Sequence, residues 1–419
     1  MSHRHVICLV VDGLRASALG TYGNTTFPTP QFDSLAGRAL VADWMWADSP
    51  HLAGFYRSVW QGVHALRPDG AGLTILDRFQ QANLRQGLVT DDPWLSEQAS
   101  QLPFDDTCLL DRLDQGNTEL AVETLEETAL ARFFSAAIER LHRWRDEVTG
   151  THSMLWLHSR GLMGPWDAPR ELRSNLLDDE DPPPADFVEP PSALHQVDDP
   201  DVLLAHRIAY AAQVTVLDAC VGAFVEAVEE VFADCEALML VTSSRGFALG
   251  EHGSIGTQCA QLYSEQLHLP WLLTPCGNSP PLPRLQTLSQ PADIGVTLAD
   301  WYNLQETLEH HDGSSCLPLL AGEACRQRQL AIAVGDEGEK SIRTPAWMLR
   351  KMPTAAGGNF SSEVFTKPDD YWERNDVVGL CAEAVLGLQQ ELACAEKCCA
   401  AGESLPFVPK DNDLIVTQQ

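Results

Sequence analysis

The sequence predicts an α/β protein: a mostly parallel central sheet flanked by helices, followed by a small C-terminal α+β subdomain. Three observations carry this. Five short, apolar, often β-branched segments read as buried strands: "VICLVV" (6–11), "RALVADWMW" (38–46), "GLVT" (87–90), "SMLWLH" (153–158) and "ALMLVTS" (237–243). Helical patterns separate them, and strands alternating with helices imply a parallel sheet covered on both faces. After "DGSSCLPLLAGE" (312–323) the composition changes to short strand-like pieces and a terminal helix.

Taken in order, residues 6–11 are apolar throughout, which suits a central strand buried on both faces. Residues 124–148 space their apolar side chains by three and four with charges opposite, and residues 203–232 do the same for about eight turns. Between them "DDEDPPPADFVEPPSALHQVDDPDV" (178–202) is rich in Pro and Asp/Glu, so an acidic insert at about 178–201 reads as an exposed loop. "QLAIAV", "AWMLRKM" and "SEVFT" read as the antiparallel strands of the appendage, and residues 377–399 as its helix. The expected domains are 1–325, 326–400 and a tail, 401–419.

At 419 residues the chain can bury a large core. A hydrophobic content of 44% and a charged content of 21% place it among globular chains. No continuous apolar run approaches the roughly 20 residues that span a bilayer, and the segment from His5 reads as a core strand, not a removable leader. A net charge of −31 repels phosphate backbones, so nucleic acid and anionic membranes are not expected partners. Twelve cysteines without a leader point to reduced thiols and a cytoplasmic setting. Cys394, Cys398 and Cys399 share the last helix, but two thiols on one face without a histidine do not make a zinc site.

In a sheet of this kind chemistry gathers at the carboxyl ends of the strands. Asp12 ends the first, His158 and Ser159 end the strand at 153–158, and Ser243, Ser244 and Arg245 end the strand at 237–243. Asp91 and Asp92 end another.

The motifs around these residues resemble those of sulfatases of the alkaline phosphatase superfamily. "DGLRASALGTYG" (12–23) and "TPQFDSLAGRAL" (29–40) are similar to that family's opening, and "YAAQVTVLDACVGAFV" (210–225) to its long helix. "TSSRGFALGEHG" (242–253) resembles TSDHGExLGEHG, and "SIRTPAWML" (341–349) and "VFTKPDDYWERNDV" (364–377) resemble the C-terminal subdomain. The resemblance runs in order from residue 6 to about 380. It implies hydrolysis of sulfate or phosphate esters, with a nucleophile, a divalent cation and cationic groups on the leaving oxygens.

Position by position, the implied parts are missing. The nucleophile aligns with Leu52, which has no attacking atom, and Arg57 falls one place from the family's arginine. The Asp–His metal pair becomes Ser244 and Arg245, and the second Asp of the first strand becomes Gly13, leaving Asp12 as the one vestigial metal ligand. The family's HxP histidine appears as Met163, and the lysine after GEHG as Thr257. GKWH has no counterpart after residues 85–94. Arg15 and His252 complete the vestigial pocket. One carboxylate beside a permanent guanidinium does not hold a divalent cation, so no cofactor is expected, and Arg245 is expected to approach Asp12 and replace the metal's charge.

Other residues offer chemistry: Ser49, Tyr56 and Ser58 near the old nucleophile, Asp91 and Asp92, and the pair Cys108 and Arg112, whose spacing matches but whose intervening Leu110 does not. Three functions stay open. The first is a non-catalytic pseudoenzyme that binds a protein partner or a small anionic ligand, with the acidic insert and "DWMWADSPH" (43–51) as contact surfaces. The second is a divergent hydrolase of sulfuric or phosphoric esters with Ca, Mg, Mn or Zn. The third is a structural subunit paired with a genuine sulfatase.

Overall fold

A computed structural model describes residues 3–68, 73–110, 121–277, 281–308, 310–354 and 360–415. Its strands are β1 (Arg4–Val11), β2 (Leu40–Trp46), β3 (Arg85–Thr90), β4 (Asp106–Leu109), β5 (Ser153–Ser159), β6 (Leu194–His195), β7 (Glu236–Thr242) and β8 (Ala248–Leu249). They continue with β9 (Ser254–Gly256), β10 (His268–Leu269), β11 (Trp271–Pro275), β12 (Arg284–Ser289), β13 (Ala331–Val334), β14 (Lys340–Arg343), β15 (Trp347–Pro353) and β16 (Phe360–Thr366). The helices are α1 (Pro30–Ala36), α2 (Leu52–Gln61), α3 (Ile75–Gln81), α4 (Pro93–Ala99), α5 (Ala129–Glu147) and α6 (Arg170–Ser174). The remainder are α7 (Pro200–Val231), α8 (Ser264–Leu267), α9 (Pro291–Trp301), α10 (Leu317–Leu320) and α11 (Ala382–Ala401).

The chain divides into two compact units. Residues Met1–Val41, Phe79–Cys259 and Pro270–Leu282 form the first. Its sheet runs β2-β11-β7-β1-β5-β3-β4. β7, β1, β5, β3 and β4 are mutually parallel, whereas β11 is antiparallel to both β7 and β2. The central sheet is therefore mixed and mostly parallel, as the alternation of segments predicts. β1 lies between β7 and β5, and seven of its eight residues are buried, which explains its unbroken apolar run. α5 and α7 pack on this sheet through Phe134, Trp144, Leu217 and Phe224.

The sequence shows no continuous apolar run of bilayer-spanning length, but α7 as a whole is long and apolar. By length and composition it could cross a bilayer, yet 83% of its most apolar window is buried inside the protein. Its apolar residues face core on nearly all sides. Two positions on α7 have structural work. Asp218 accepts the N–H groups of Gln31 and Phe32 at the start of α1, the last at 2.9 Å, where a carboxylate meets helix donors that lack partners within the helix. Gly222 lets α1 approach, since a Cβ there would fall 2.7 Å from the Gln31 side chain.

The acidic insert is mostly exposed but tethered. Arg173, 1% exposed, donates to the carbonyls of Ala185 and Phe187 from the insert and to that of Trp166. β6 pairs with β9, which also pairs with β8.

The second unit comprises Ala42–Arg78, Ala260–Leu269 and Pro283–Gln419. It holds the C-terminal antiparallel sheet β13-β14-β15-β16 and α11, which share a core of Ile332, Ile342, Leu349, Val364, Leu388 and Leu392. Within it β10 runs antiparallel to the end of β2. Trp46 is fully buried and Trp44 only partly so, which makes most of the 43–51 stretch core. All twelve cysteines are thiols, none joined in a disulfide.

Candidate functional site

The parallel register of β1 with β5 and β7 brings their carboxyl ends together, with His158 beside Val10 and Thr90. Asp12 follows β1, and the two neighbouring loops clasp the turn that it starts. The Asp12 N–H donates to Ser159 O at 2.9 Å and its carbonyl accepts Leu162 N–H at 2.9 Å; Gly13 N–H donates to Arg245 O at 3.1 Å. Gly13 has φ +79°, and a Cβ added there would lie 3.1 Å from Leu162. Glycine at this position suits the turn, and the family's aspartate would strain it.

The Asp12 carboxylate is 1% exposed. Arg245 grips it by a two-point fork, Nε to Oδ1 at 2.9 Å and Nη2 to Oδ2 at 2.8 Å. Ser244 Oγ donates to Oδ1 at 2.7 Å. The contact expected between Arg245 and Asp12 is thus present. Burial alone would raise the carboxyl's proton affinity, but the Arg245 charge and hydrogen bonds, with smaller help from His158 and Ser244, outweigh it and hold the pKa below the usual carboxylate value. Ser243 Oγ donates to Arg245 O at 2.6 Å and fixes the loop that aims the guanidinium.

His158 is fully buried at the end of β5. Burial, reinforced by the Arg245 and Arg160 charges, pushes its pKa down to about 4 against the pull of Asp12 and Asp92, so the imidazole is neutral at pH 7. At the end of the neighbouring β3, Asp91 accepts the Arg160 N–H at 2.7 Å, and burial pushes its carboxyl up to about 7. Asp92 caps α4 by accepting Leu95 N–H at 2.8 Å.

The remaining pocket residues have other duties. Arg15 Nη1 donates to Glu251 Oε1 at 2.6 Å, and Glu251 Oε2 accepts Leu249 N–H at 3.0 Å. Two well-matched motif halves, DGLR and GEHG, therefore meet as an ion pair that ties the β8–β9 hairpin to the turn after β1. Tyr210 OH reinforces that turn, donating to Gly13 O at 2.9 Å and accepting Arg15 N–H at 3.2 Å. Met163 is buried among apolar neighbours. His252 sits half-buried on the hairpin turn, and Thr257 follows β9 with its N–H on Pro191 O at 3.0 Å.

Leu52 and Arg57 belong to the second unit, in α2. Leu52 is the buried first residue of the helix, and Arg57 Nη2 donates to the carbonyls of Arg67 and Pro68, each at 2.7 Å. Of the other nucleophile candidates, Ser58 Oγ donates to Asp48 Oδ2 at 2.5 Å, Ser49 Oγ accepts His51 N–H, and Tyr56 packs on Trp60. Cys108 lies on β4, where burial and then the Asp106 charge raise its thiol pKa, the reverse of nucleophile activation. Its spacing partner Arg112 lies outside the described residues. Among the described residues no group of three or more His, Cys, Asp or Glu is placed to hold a metal ion.

No family model matches the chain, and no curated protein aligns with it. Solved structures do match over nearly the whole length. The phosphonate monoester hydrolase of Agrobacterium radiobacter superposes with a TM-score of 0.75 at 16% identity, covering 96% of each chain. The phosphonate monoester hydrolase of Silicibacter pomeroyi gives 0.68 at 16%, covering 99% of this chain and 97% of its own. A putative sulfatase of Bacteroides fragilis gives 0.68 at 15%, covering 95% and 96%. With strand order, flanking helices and the C-terminal antiparallel sheet all in place, the chain has the sulfatase/alkaline phosphatase superfamily fold.

Proposed function

We propose that the chain is a sulfatase-like protein that has lost the nucleophile and most metal ligands, a non-catalytic pseudoenzyme with a binding role. The observation that carries this reading is the Arg245 fork on Asp12. A guanidinium takes both oxygens of the surviving ligand, where a divalent cation needs several anionic oxygens. The residues present do not fit a family metal: Gly13 has no side chain to offer, Ser244 is committed to Asp12, and Leu52 is aliphatic. The partner is a protein or a small anionic ligand. Nη1 of Arg245, outside the fork, supports the latter. Reduced thiols throughout support a cytoplasmic setting.

The test is metal content and turnover of the purified protein. It is expected to hold no stoichiometric Ca, Mg, Mn or Zn, and to leave nitrophenyl sulfate, nitrophenyl phosphate and a phosphonate monoester intact with any of them added. Tightly held metal, with turnover abolished by Asp12→Ala, overturns the reading.

One observation favours the second reading, a divergent ester hydrolase. Asp91 combines a pKa near 7 with a place at the strand end next to His158 and Arg160, as a general acid–base requires. Under that reading Asp91→Asn abolishes turnover.

A further inference from the structure

The second unit buries a cation that no group among the described residues satisfies. Arg343 ends β14 and is 2% exposed. Its backbone is fixed between Ala331 of β13 and Met348 of β15. The guanidinium carbon lies 4.4 Å from the ring centroid of Trp44 and 4.5 Å from that of Trp46. Those indole faces attract the charge but accept none of its five N–H bonds. No side chain or carbonyl among the described residues accepts a hydrogen bond from this guanidinium, and Nε is wholly buried.

The neighbouring polar groups are committed elsewhere. Glu373 Oε1 accepts Lys367 Nζ and Ser264 Oγ, and its Oε2 accepts Ser264 N–H at 3.3 Å. Lys367 directs its other donors to the carbonyls of Asp370 and Tyr371. His268 bridges the Asp43 carbonyl at 2.8 Å and the Tyr371 hydroxyl at 3.1 Å. Burial, aided first by the Arg343 charge, pushes this imidazole down to about 3, so it stays neutral. Burial also pushes Arg343 down to about 10, still far above neutrality. The result is a protonated guanidinium whose Nε is buried and unmet and whose Nη1 and Nη2 find no acceptor among the described residues. Native interiors rarely tolerate such groups without water or an ion.

Two kinds of partner fit. Ordered water would meet the donors and add nothing to the charge compensation that Glu373 supplies from a distance. An oxyanion would meet both needs, because parallel N–H pairs of a guanidinium match two oxygens of a carboxylate, sulfate or phosphate group, and the indole walls strengthen the attraction by excluding water. Trp44, which borders the guanidinium and stacks on His268 at 5.0 Å between centroids, is partly accessible, so the cluster reaches the surface there.

We propose that Arg343, set between Trp44 and Trp46, is an oxyanion-binding residue that receives the carboxylate, sulfate or phosphate group of a small ligand on its Nη1 and Nη2 N–H pair. The site lies in the second unit and does not depend on the reading of the strand ends in the first.

The test titrates the full chain with inorganic phosphate, sulfate and acetate in turn, at an ionic strength held constant with chloride. Tryptophan fluorescence and the thermal midpoint are followed together. At least one anion is expected to give a saturable fluorescence change and a raised midpoint, and the anion that does so separates tetrahedral from carboxylate ligands. Arg343→Met is expected to weaken the apparent affinity at least about tenfold, the loss of a charge-assisted hydrogen bond. Arg343→Lys, which keeps charge without the fork, decides the matter if the methionine variant does not fold: an unchanged affinity in it refutes fork binding. No saturable response in the natural protein leaves water as the partner and overturns the proposal. So does a response that persists in Arg343→Met, or one lost in Arg245→Met, which would place the anion at the strand ends.

Discussion

Arg245 and Asp12 share one of the more protected places in the first unit, and the pair matters more for what its breakage exposes than for its own attraction. Arg245→Met is expected to cost roughly 3 kcal/mol, because a buried carboxylate is left without its cation. Adding Asp12→Asn to that variant should recover much of the loss. Urea midpoints of the two single variants and the double variant measure the coupling; additivity would show that the fork carries no special weight. Gly13→Asp, which adds a carboxylate beside Asp12, is expected to cost about 1–3 kcal/mol, since its φ of +79° and the nearby Leu162 oppose any side chain. The Arg245–Asp12 contact could be read from the sequence, because a buried strand end holding one acid needs a base and only one had appeared. The Arg15–Glu251 pair could not. The two residues are 236 positions apart, and the preserved GEHG was the sole signal, with nothing in it to say which group Glu251 meets.

Among the elements, α7 carries motif residues that serve packing. Tyr210 braces the turn after β1, Asp218 caps α1 and Gly222 makes room for it. Asp218→Ala is expected to cost about 1–2 kcal/mol, as removal of a helix cap does, read as a lowered urea midpoint with the transition slope unchanged. Two cations hold the acidic insert, Arg170 through Asp186 and Arg173 through backbone carbonyls. Arg173→Met keeps the volume but removes the hydrogen bonds to the carbonyls of Trp166, Ala185 and Phe187. It is expected to raise amide exchange in residues 181–199 while β1 and β5 stay protected. Equal protection in both proteins would mean that β6 and the neighbouring backbone hydrogen bonds suffice. The five long apolar strands were legible because burial on both faces leaves a continuous signal. β4 was not: its residues alternate between half-buried and exposed at the sheet's edge, so no apolar run marks it. β11 hid for another reason. "WLLTP" looks like any buried strand, and its antiparallel direction is set by partners far along the chain.

For the whole molecule, buried histidines set the response to acid. His5, His158 and His268 are pushed down to about 4, 4 and 3, chiefly by burial. Their neutral burial contributes stability in full above the unfolded value near 6.5, and that contribution is lost as pH falls toward the folded values. Asp91, pushed up to about 7, works the other way, since the folded chain keeps a proton that the unfolded chain releases. These three histidines against Asp91 give about two extra protons bound by the unfolded chain near pH 5.5. Lowered His64 and His152 act in the same direction while raised Asp167, Asp218 and Glu339 oppose, so stability should fall from pH 7 to 5.5. Urea midpoints that stay level or rise over that range would contradict the assignment of neutral, buried imidazoles. The sequence by itself determined the layered α/β scaffold and the strand ends where Asp12, His158 and Arg245 gather. Each of these follows from local pattern or residue type. Only the tertiary structure decided which charges pair, that Arg15 is committed to Glu251, and that Arg343 lies between two indoles with its buried Nε unmet among the described residues. Hydrogen-bond satisfaction is a property of neighbours in space, and sequence distance carries no record of it.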